Sequence, residues 1–273
     1  MSRRAAFIAV YAALVILTLA TLLPFVWMVS ASFMPTGEAT QFPPRLWPSA
    51  PTTAHYAALF TRLDLGHAAA NSALLATAIT LISLLLNSMG GYAFAKFRFR
   101  GRDRLFRVLL AALIIPAQVS MLPLFLMLKQ MGLVNTYWGV IVPGLSSIFG
   151  MFLVRQYAQS IPDSLLDAAR IDGASEWRIY WSLVLPACKP VLVTLAVFTF
   201  MGAWNDFLWP LVVLTDDTMY TLPVALANLL GEHVQDTELM MAGSVLTVLP
   251  VVILFVALQR AYLRGVMMGS VKG

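Results

Sequence analysis

Six stretches of this 273-residue chain are apolar for long enough to cross a bilayer, and no other feature restricts the fold as much. A membrane helix needs about 20 predominantly apolar residues. Ala5 to Gly37, Ala68 to Ala95, Val108 to Leu128, Gln130 to Val154 and Leu239 to Gln259 carry no charge, and Pro190 to Leu214 carries only Asp206. Charged residues make up 11% of the chain, against about 25% in a soluble domain, too few to cover a surface facing water. The sequence therefore predicts an all-α integral membrane protein. Its six transmembrane helices are expected at 6–33, 69–95, 108–128, 134–156, 188–214 and 239–261, with a cytoplasmic loop over 158–187 between helices 4 and 5. Only Lys129 separates the third and fourth stretches. Gly132 and Asn135 read as a turn there, and a re-entrant hairpin is the alternative.

Orientation follows from the excess of Lys and Arg in cytoplasmic loops. With the N-terminus inside, fifteen of the 18 basic residues face the cytoplasm, including the cluster Lys96, Arg98, Arg100, Arg102, Arg104 and Arg107. Arg45, Arg62 and Lys129 fall outside. Both termini are then cytoplasmic, and the net charge of +5 needs no nucleic acid to explain it. The opening Met1-Ser2-Arg3-Arg4 and its long apolar run read as a retained first helix rather than a cleaved signal. The single cysteine, Cys188, allows no internal disulfide and no thiolate metal site.

Pro24, Pro116, Pro123, Pro143, Pro210 and Pro250 lie within the predicted spans, where each is expected to kink or unwind its helix. Such breaks need protein or a water-filled cavity beside them, so together they favour a lined pathway over a solid bundle. Two connections fall outside. One is Pro-rich, over 35–68; the other, Thr215 to Glu238, carries Asp216, Asp217, Glu232, Asp236 and Glu238.

The most informative segment runs from Ser160 to Pro190. Pro162 suits a first helical turn, with Ser160 or Ile161 before it, and Leu165, Leu166, Ala169 and Ile171 gather on one side. Asp172-Gly173 stops this helix, and Ser175 can cap a second through Trp177, Ile179, Tyr180 and Trp181. Two short helices jointed at a glycine make a protruding knob. Its acidic residues Asp163, Asp167, Asp172 and Glu176 favour a protein groove over anionic headgroups, although an amphipathic pair lying on lipid fits the spacing too.

Here the chain resembles a known family. Asp167-Ala168-Ala169-x-x-Asp172-Gly173-Ala174, with Leu185-Pro186 downstream, is similar to the E-A-A-x-x-D-G-A loop of permease subunits of binding-protein-dependent ABC importers. Asn71-Ser72, the run Trp204-Asn205-Asp206-Phe207, Thr221-Leu222-Pro223 and the tail Gly269-Ser270-Val271-Lys272-Gly273 extend the likeness to the carbohydrate-uptake branch, of the maltose-type second permease. The chain departs in having Asp167 where the family usually has Glu. The resemblance implies one permease domain over 1–273 in a bacterial cytoplasmic (inner) membrane, forming half of a pathway for a sugar, an oligo- or disaccharide. It implies that Asp167, Ala168, Ala169, Asp172, Gly173 and Ala174 form a coupling helix. That helix would rest on a dimer of ATP-binding-cassette ATPases, which bind the ATP and Mg. The other implied partners are a second, related permease and an extracytoplasmic solute-binding protein, with membrane lipid around the whole. The tail could reach the ATPases or fray.

No G-x-x-x-x-G-K-[ST] occurs, so the chain is expected to bind no cofactor and to be no enzyme. His55, His67 and His233 are scattered through the external segments and read as solvated loop residues rather than metal ligands. Gln118, Trp204, Asn205 and Asp206 are the candidate pathway residues, Trp204 stacking on a sugar face while Asn205 and Asp206 meet hydroxyls. Asp206 and its tryptophans equally suit the outer interface. Asn87, Ser88, Gly90 and Gly91 suit close packing of the second helix. A glycerol-phosphate importer of the same kind and an ion-coupled secondary transporter are the alternatives.

Overall fold

A computed structural model describes residues 3–61, 64–232 and 236–270. Arg62, His233 and Val271 to Gly273 lie outside the described residues. All regular structure among the described residues is helical. They fall into two packed units, one within Met1–His67 and Leu222–Pro250 and the other within Ala68–Thr221 and Val251–Gly273.

The first unit begins with α1 (Arg3–Ala31), continues through α2 (Ala54–Thr61) and includes α13 (Leu222–Glu232) and the start of α14 (Thr237–Ser270). Its polar groups are better buried than their loop positions suggest. Glu38 accepts from Ser49 N at 3.0 Å and from Arg45 Nη1 at 3.1 Å. Glu238, expected on an exposed acidic loop, is fully buried and accepts from Ala39 N at 2.7 Å. His55, expected in solvent, is buried as well, and its Nε2–H donates to the Met34 carbonyl at 2.8 Å. Only His67 of the described histidines is exposed. In both corrections the cause is the same: the Pro-rich segment folds back and supplies backbone partners that spacing along the sequence does not reveal.

The second unit holds α3 (Leu65–Lys96) from Ala68 onward, then α4 (Arg102–Ala112), α5 (Met121–Gln130), α6 (Tyr137–Gly144) and α7 (Ile148–Ala158). The knob helices α8 (Asp163–Ile171), α9 (Glu176–Ile179) and α10 (Leu185–Ala187) follow, then α11 (Lys189–Trp204) and α12 (Leu208–Val213). Three helical stretches are singly long and apolar enough to cross a membrane: Phe7–Ala31, Leu65–Lys96 and Thr237–Ala257. Three further pairs qualify together but are bent, by 95° between Arg102–Ala112 and Ala117–Gln130, by 41° between Tyr137–Gly144 and Ile148–Ala158, and by 77° between Glu176–Ala187 and Lys189–Trp204.

The prolines explain only some of these breaks. Pro116 is extended and sits at the 95° bend, and Pro143 falls one residue before the end of α6. Pro123 and Pro210 instead occupy first turns, where a missing N–H costs nothing. Pro24 and Pro250 lie inside unbroken helices, so neither unwinds its span.

Close packing in this unit is set by small residues around one amide. Asn87 is fully buried. Its Oδ1 accepts from Ser146 Oγ at 3.0 Å and Ser147 N at 2.9 Å, and its Nδ2 donates to Ser83 Oγ at 2.8 Å. The first two bonds tie α3 to the start of α7, satisfying backbone that the break after α6 leaves free. Gly90 and Gly91 let α3 approach α7 closely, as their spacing suggested: a Cβ at Gly91 would meet Val154 Cβ at 2.6 Å and Arg155 N at 2.9 Å.

Candidate functional site

The knob is built as its sequence indicates at both joints. Gly173 has φ +79°, and the helix ends in a Schellman turn, with Ala174 N donating to Ala169 O at 2.9 Å and Gly173 N to Arg170 O at 3.0 Å. Ser175 Oγ accepts from Arg178 N at 3.3 Å and so caps α9. The first cap differs: Pro162 itself is the N-cap, and no side chain serves α8. The apolar side differs too. Leu166 is 1% exposed and Ala169 packs beside it, whereas Ile171 is 86% exposed and Leu165 also faces out. Ile171 is the residue from which the chain turns back, so its side chain leaves the stripe. Asp167, Ala168, Asp172 and Gly173 lie on the same exposed surface.

The knob is firmly anchored to the helices around it. Leu166, Ile179, Tyr180 and Val184 share a continuous buried cluster with Tyr92 of α3, Val154 of α7 and Leu195 of α11. Polar ties reinforce it. Tyr180 OH and Ser88 Oγ are 2.6 Å apart, and Lys96 Nζ donates to Ile161 O and Asp163 Oδ1, both at 2.6 Å. Arg170 bridges the two knob helices, donating to Asp167 Oδ1 and Glu176 Oε1, each at 2.7 Å, while Tyr92 OH donates to Glu176 Oε2 at 3.2 Å. Asp167, one methylene shorter than the family's usual Glu, is therefore engaged within its own helix. A π-helical turn, Tyr180–Val184, carries α9 into α10.

Electrostatics follow from these contacts. Arg170 holds the Glu176 carboxyl below its ordinary value, and Lys96 does the same for Asp163. Because both folded-state values are lowered, their stabilisation is complete above the ordinary carboxylate range and disappears as pH falls through it. Hydrogen-exchange protection over 163–180, corrected for the intrinsic pH dependence of exchange, should therefore hold from neutrality to about pH 5 and fall below about pH 4. Arg170→Ala should remove the part due to Glu176 and leave the part due to Asp163, while costing about 1 kcal/mol or less, since the pairs are partly exposed. A flat profile in the unaltered chain would contradict the brace.

The second feature is an open cavity of about 530 Å³ in the second unit. Gln118 and Asp206 both line it, with Ser83, Ser147, Thr199 and Trp209. Trp204 and Asn205 do not. Trp204 is buried, stacked with Phe200 at 5.9 Å, and Asn205 Nδ2 donates to the Met201 carbonyl at 2.9 Å. The reason is a helix break at Asn205–Phe207: Asp206 Oδ1 accepts from Trp209 N at 3.4 Å, so the carboxylate starts a new helix. That restart brings Trp209, read from the sequence only as an interface tryptophan, to the cavity wall, with its Nε1 donating to Gly139 O at 3.1 Å. The signal was present as Asp206 followed by Pro210, a side-chain cap and a first-turn proline. Among the described residues no group of three His, Cys, Asp or Glu could hold a metal.

Apolar helices thus border an open, largely apolar cavity with a few polar groups and anchor a braced, exposed knob. Residues 87–267 match the family described as binding-protein-dependent transport system inner membrane component, and the chain belongs to that family. It is 40% identical over 253 residues to the arabinooligosaccharides transport system permease protein AraQ of Halalkalibacterium halodurans, covering 92% of this chain and 91% of that one. It is 32% identical to the lactose transport system permease protein LacG of Rhizobium radiobacter, over 99% of this chain and 98% of the relative. Among solved structures, a chain of a bacterial ABC transporter involved in the import of the acidic polysaccharide alginate superposes with a TM-score of 0.83 at 26% identity, covering 95% of this chain and 98% of that one. The chain is a permease subunit of an ABC importer.

Proposed function

We propose that this permease forms half of the pathway for an oligo- or disaccharide and that the knob transmits the stroke of a separate ATPase dimer to it. The observation that carries the reading is the buried cluster running from Leu166 and Ile179 in the knob to Tyr92, Val154 and Leu195 in three long helices. A displacement imposed on the exposed face of α8 must move those helices, because a packed core does not absorb it. Asp167, Ala168, Asp172 and Gly173 are exposed there, and Ala169 and Ala174 pack beneath them against the cluster. The stretches 108–128, 134–156 and 188–214 count as three further spans, making six with the single helices and leaving the knob outside the bilayer, and both termini lie in the cytoplasm of a bacterial inner membrane. A second permease completes the pathway. A solute-binding protein delivers the sugar from outside. ATP and Mg stay with the ATPases, and this chain catalyses nothing.

The cavity supplies the solute contacts. Gln118, Asp206, Ser83, Ser147 and Thr199 offer hydroxyl-matching donors and acceptors, and Trp209 offers an aromatic edge. Sugar recognition uses such sparse polar groups on an apolar wall. Relatives named for arabinooligosaccharides and lactose match over 92% and 99% of this chain and those named for sn-glycerol-3-phosphate over 71%, which supports a sugar over a phosphorylated solute.

The test is solute entry into proteoliposomes holding both permeases, with and without the ATPase subunits and ATP. Entry is expected only with both, for arabinooligosaccharide or lactose presented on a binding protein, and Asp206→Ala is expected to slow it at least about tenfold, the effect of losing one hydrogen bond to a charged group. Entry without any ATPase would refute the coupling. Preference for glycerol phosphate over every sugar would refute the substrate class.

A further inference from the structure

The end of α3, the loop after it and the start of α4 carry six basic side chains, from Lys96 to Arg107, against one acid, Asp103. Their excess equals the +5 of the entire chain. Most of the polar bonding here is already committed. Lys96 is held by Asp163 and Ile161 O, Arg102 donates to Asp103 at 3.0 Å and to Phe97 O at 3.2 Å, and Arg107 Nε donates to Asp103 O at 3.2 Å. The single acid is further approached by Arg155 Nη2 at 3.9 Å. Arg98, Arg100 and Arg104 form no salt bridge or hydrogen bond among the described residues. Together with Arg107 they line a shallow concavity of about 950 Å³.

Arginines without counter-ions repel one another, and a loop that holds several of them open needs anions from elsewhere. Guanidinium favours phosphate, which it grips with two parallel hydrogen bonds. The position of the loop says which phosphate. α3 is singly long enough to cross a bilayer and ends at Lys96, so the concavity lies where a crossing helix leaves the hydrocarbon. Exposed apolar side chains accompany the arginines there: Phe97 and Phe99 in the loop, Leu105 and Val108 on α4. Phe106 anchors the same helix inward, against Phe94 at 5.2 Å and under Arg155 at 4.2 Å. Cations reaching outward beside apolar groups that need cover suit the headgroup boundary, and they suit a soluble acidic partner poorly.

We propose that Arg98, Arg100, Arg104 and Arg107 form a site for the phosphate headgroup of an anionic phospholipid, with Phe97, Phe99, Leu105 and Val108 resting on its acyl region. This inference rests on α3 crossing the bilayer and on nothing about the solute carried. Lys96 and Arg98 flank the loop's start, and Lys96 also fastens Asp163 of the knob. A lipid held here therefore sits against the anchorage of the coupling surface.

The experiment uses the full chain, purified with the subunits that accompany it and exchanged into discs of phosphatidylethanolamine with or without phosphatidylglycerol. Lipid retained through mild delipidation is counted by native mass spectrometry. Phosphatidylglycerol should be retained in preference to phosphatidylethanolamine, and rising salt should weaken the preference. Arg98→Gln, Arg100→Gln and Arg104→Gln combined should lower phosphatidylglycerol affinity about a hundredfold, the effect of removing three surface charges. The corresponding Lys substitutions preserve the charge that sets orientation and should retain most of the affinity. Equal retention of both lipids by the unaltered chain would overturn the proposal, as would undiminished retention by the Gln variant or full displacement by inorganic phosphate. Failure of solute uptake bears on the proposed function alone.

Discussion

Valine in place of Gly173 is expected to cut ATP-driven uptake by at least tenfold, while asparagine there leaves most of it. A Cβ at this position would meet nothing within 4 Å, so the cost is not a clash. It is the backbone, at φ +79°, where a side chain costs roughly 1–2 kcal/mol and a β-branched one more. Relieving that strain breaks the Schellman bonds from Ala174 and Gly173, and with them the fixed angle between α8 and α9. Asparagine tolerates the left-handed region and so separates conformation from size. The measurement is initial uptake rate with assembled ATPase, at matched amounts of complex. A valine variant that transports at the normal rate would exclude the knob as a rigid handle.

A second large effect is expected at Gly91, where valine should prevent recovery of folded protein. The added Cβ would lie 2.6 Å from Val154 Cβ and 2.9 Å from the backbone nitrogen of Arg155. A side-chain tip could move aside, but a helix backbone cannot without separating α3 from α7. Overpacking of this kind costs about 1–3 kcal/mol even where neighbours relax, and separation would also strand the bonds of Asn87. Gly202→Ala is the control, because nothing lies within 4 Å of a Cβ built there. Thermal unfolding and gel-filtration profiles of the two variants should differ plainly. A Gly91→Val protein as stable as Gly202→Ala would show that the interface is not closed as described.

Much of this was readable from residue order alone, for a physical reason. Bilayer thickness fixes how long an apolar run must be, so α1, α3 and α14 announce themselves by composition. Glycine at a left-handed position and serine ahead of a short helix are equally local signals, and Gly173 and Ser175 behave as their types dictate. Non-local contacts were not readable. His55 and Glu238 occupy segments that look solvated, and they are buried only because backbone groups at Met34 and Ala39 come to meet them. Trp204 and Trp209 differ by five positions and both are buried, yet the pause at Asn205–Phe207 leaves only Trp209 at the cavity wall. Periodicity cannot foresee that difference, because it assumes an uninterrupted helix. Only the pairing of Asp206 with Pro210 carries a hint of it.

Under the coupling proposed above, the 77° angle at Cys188 makes the permease a crank. Its short arm, Glu176–Ala187, is roughly 18 Å long, and its long arm, the 16 residues of α11, roughly 24 Å. Val184, Cys188 and Leu195 fill the elbow, so the arms turn together. A thrust along one axis then emerges as a sweep nearly at right angles, enlarged by about a third. Shortening α11 by one turn would bring the two arms nearly level and remove that gearing without touching a single residue of the knob.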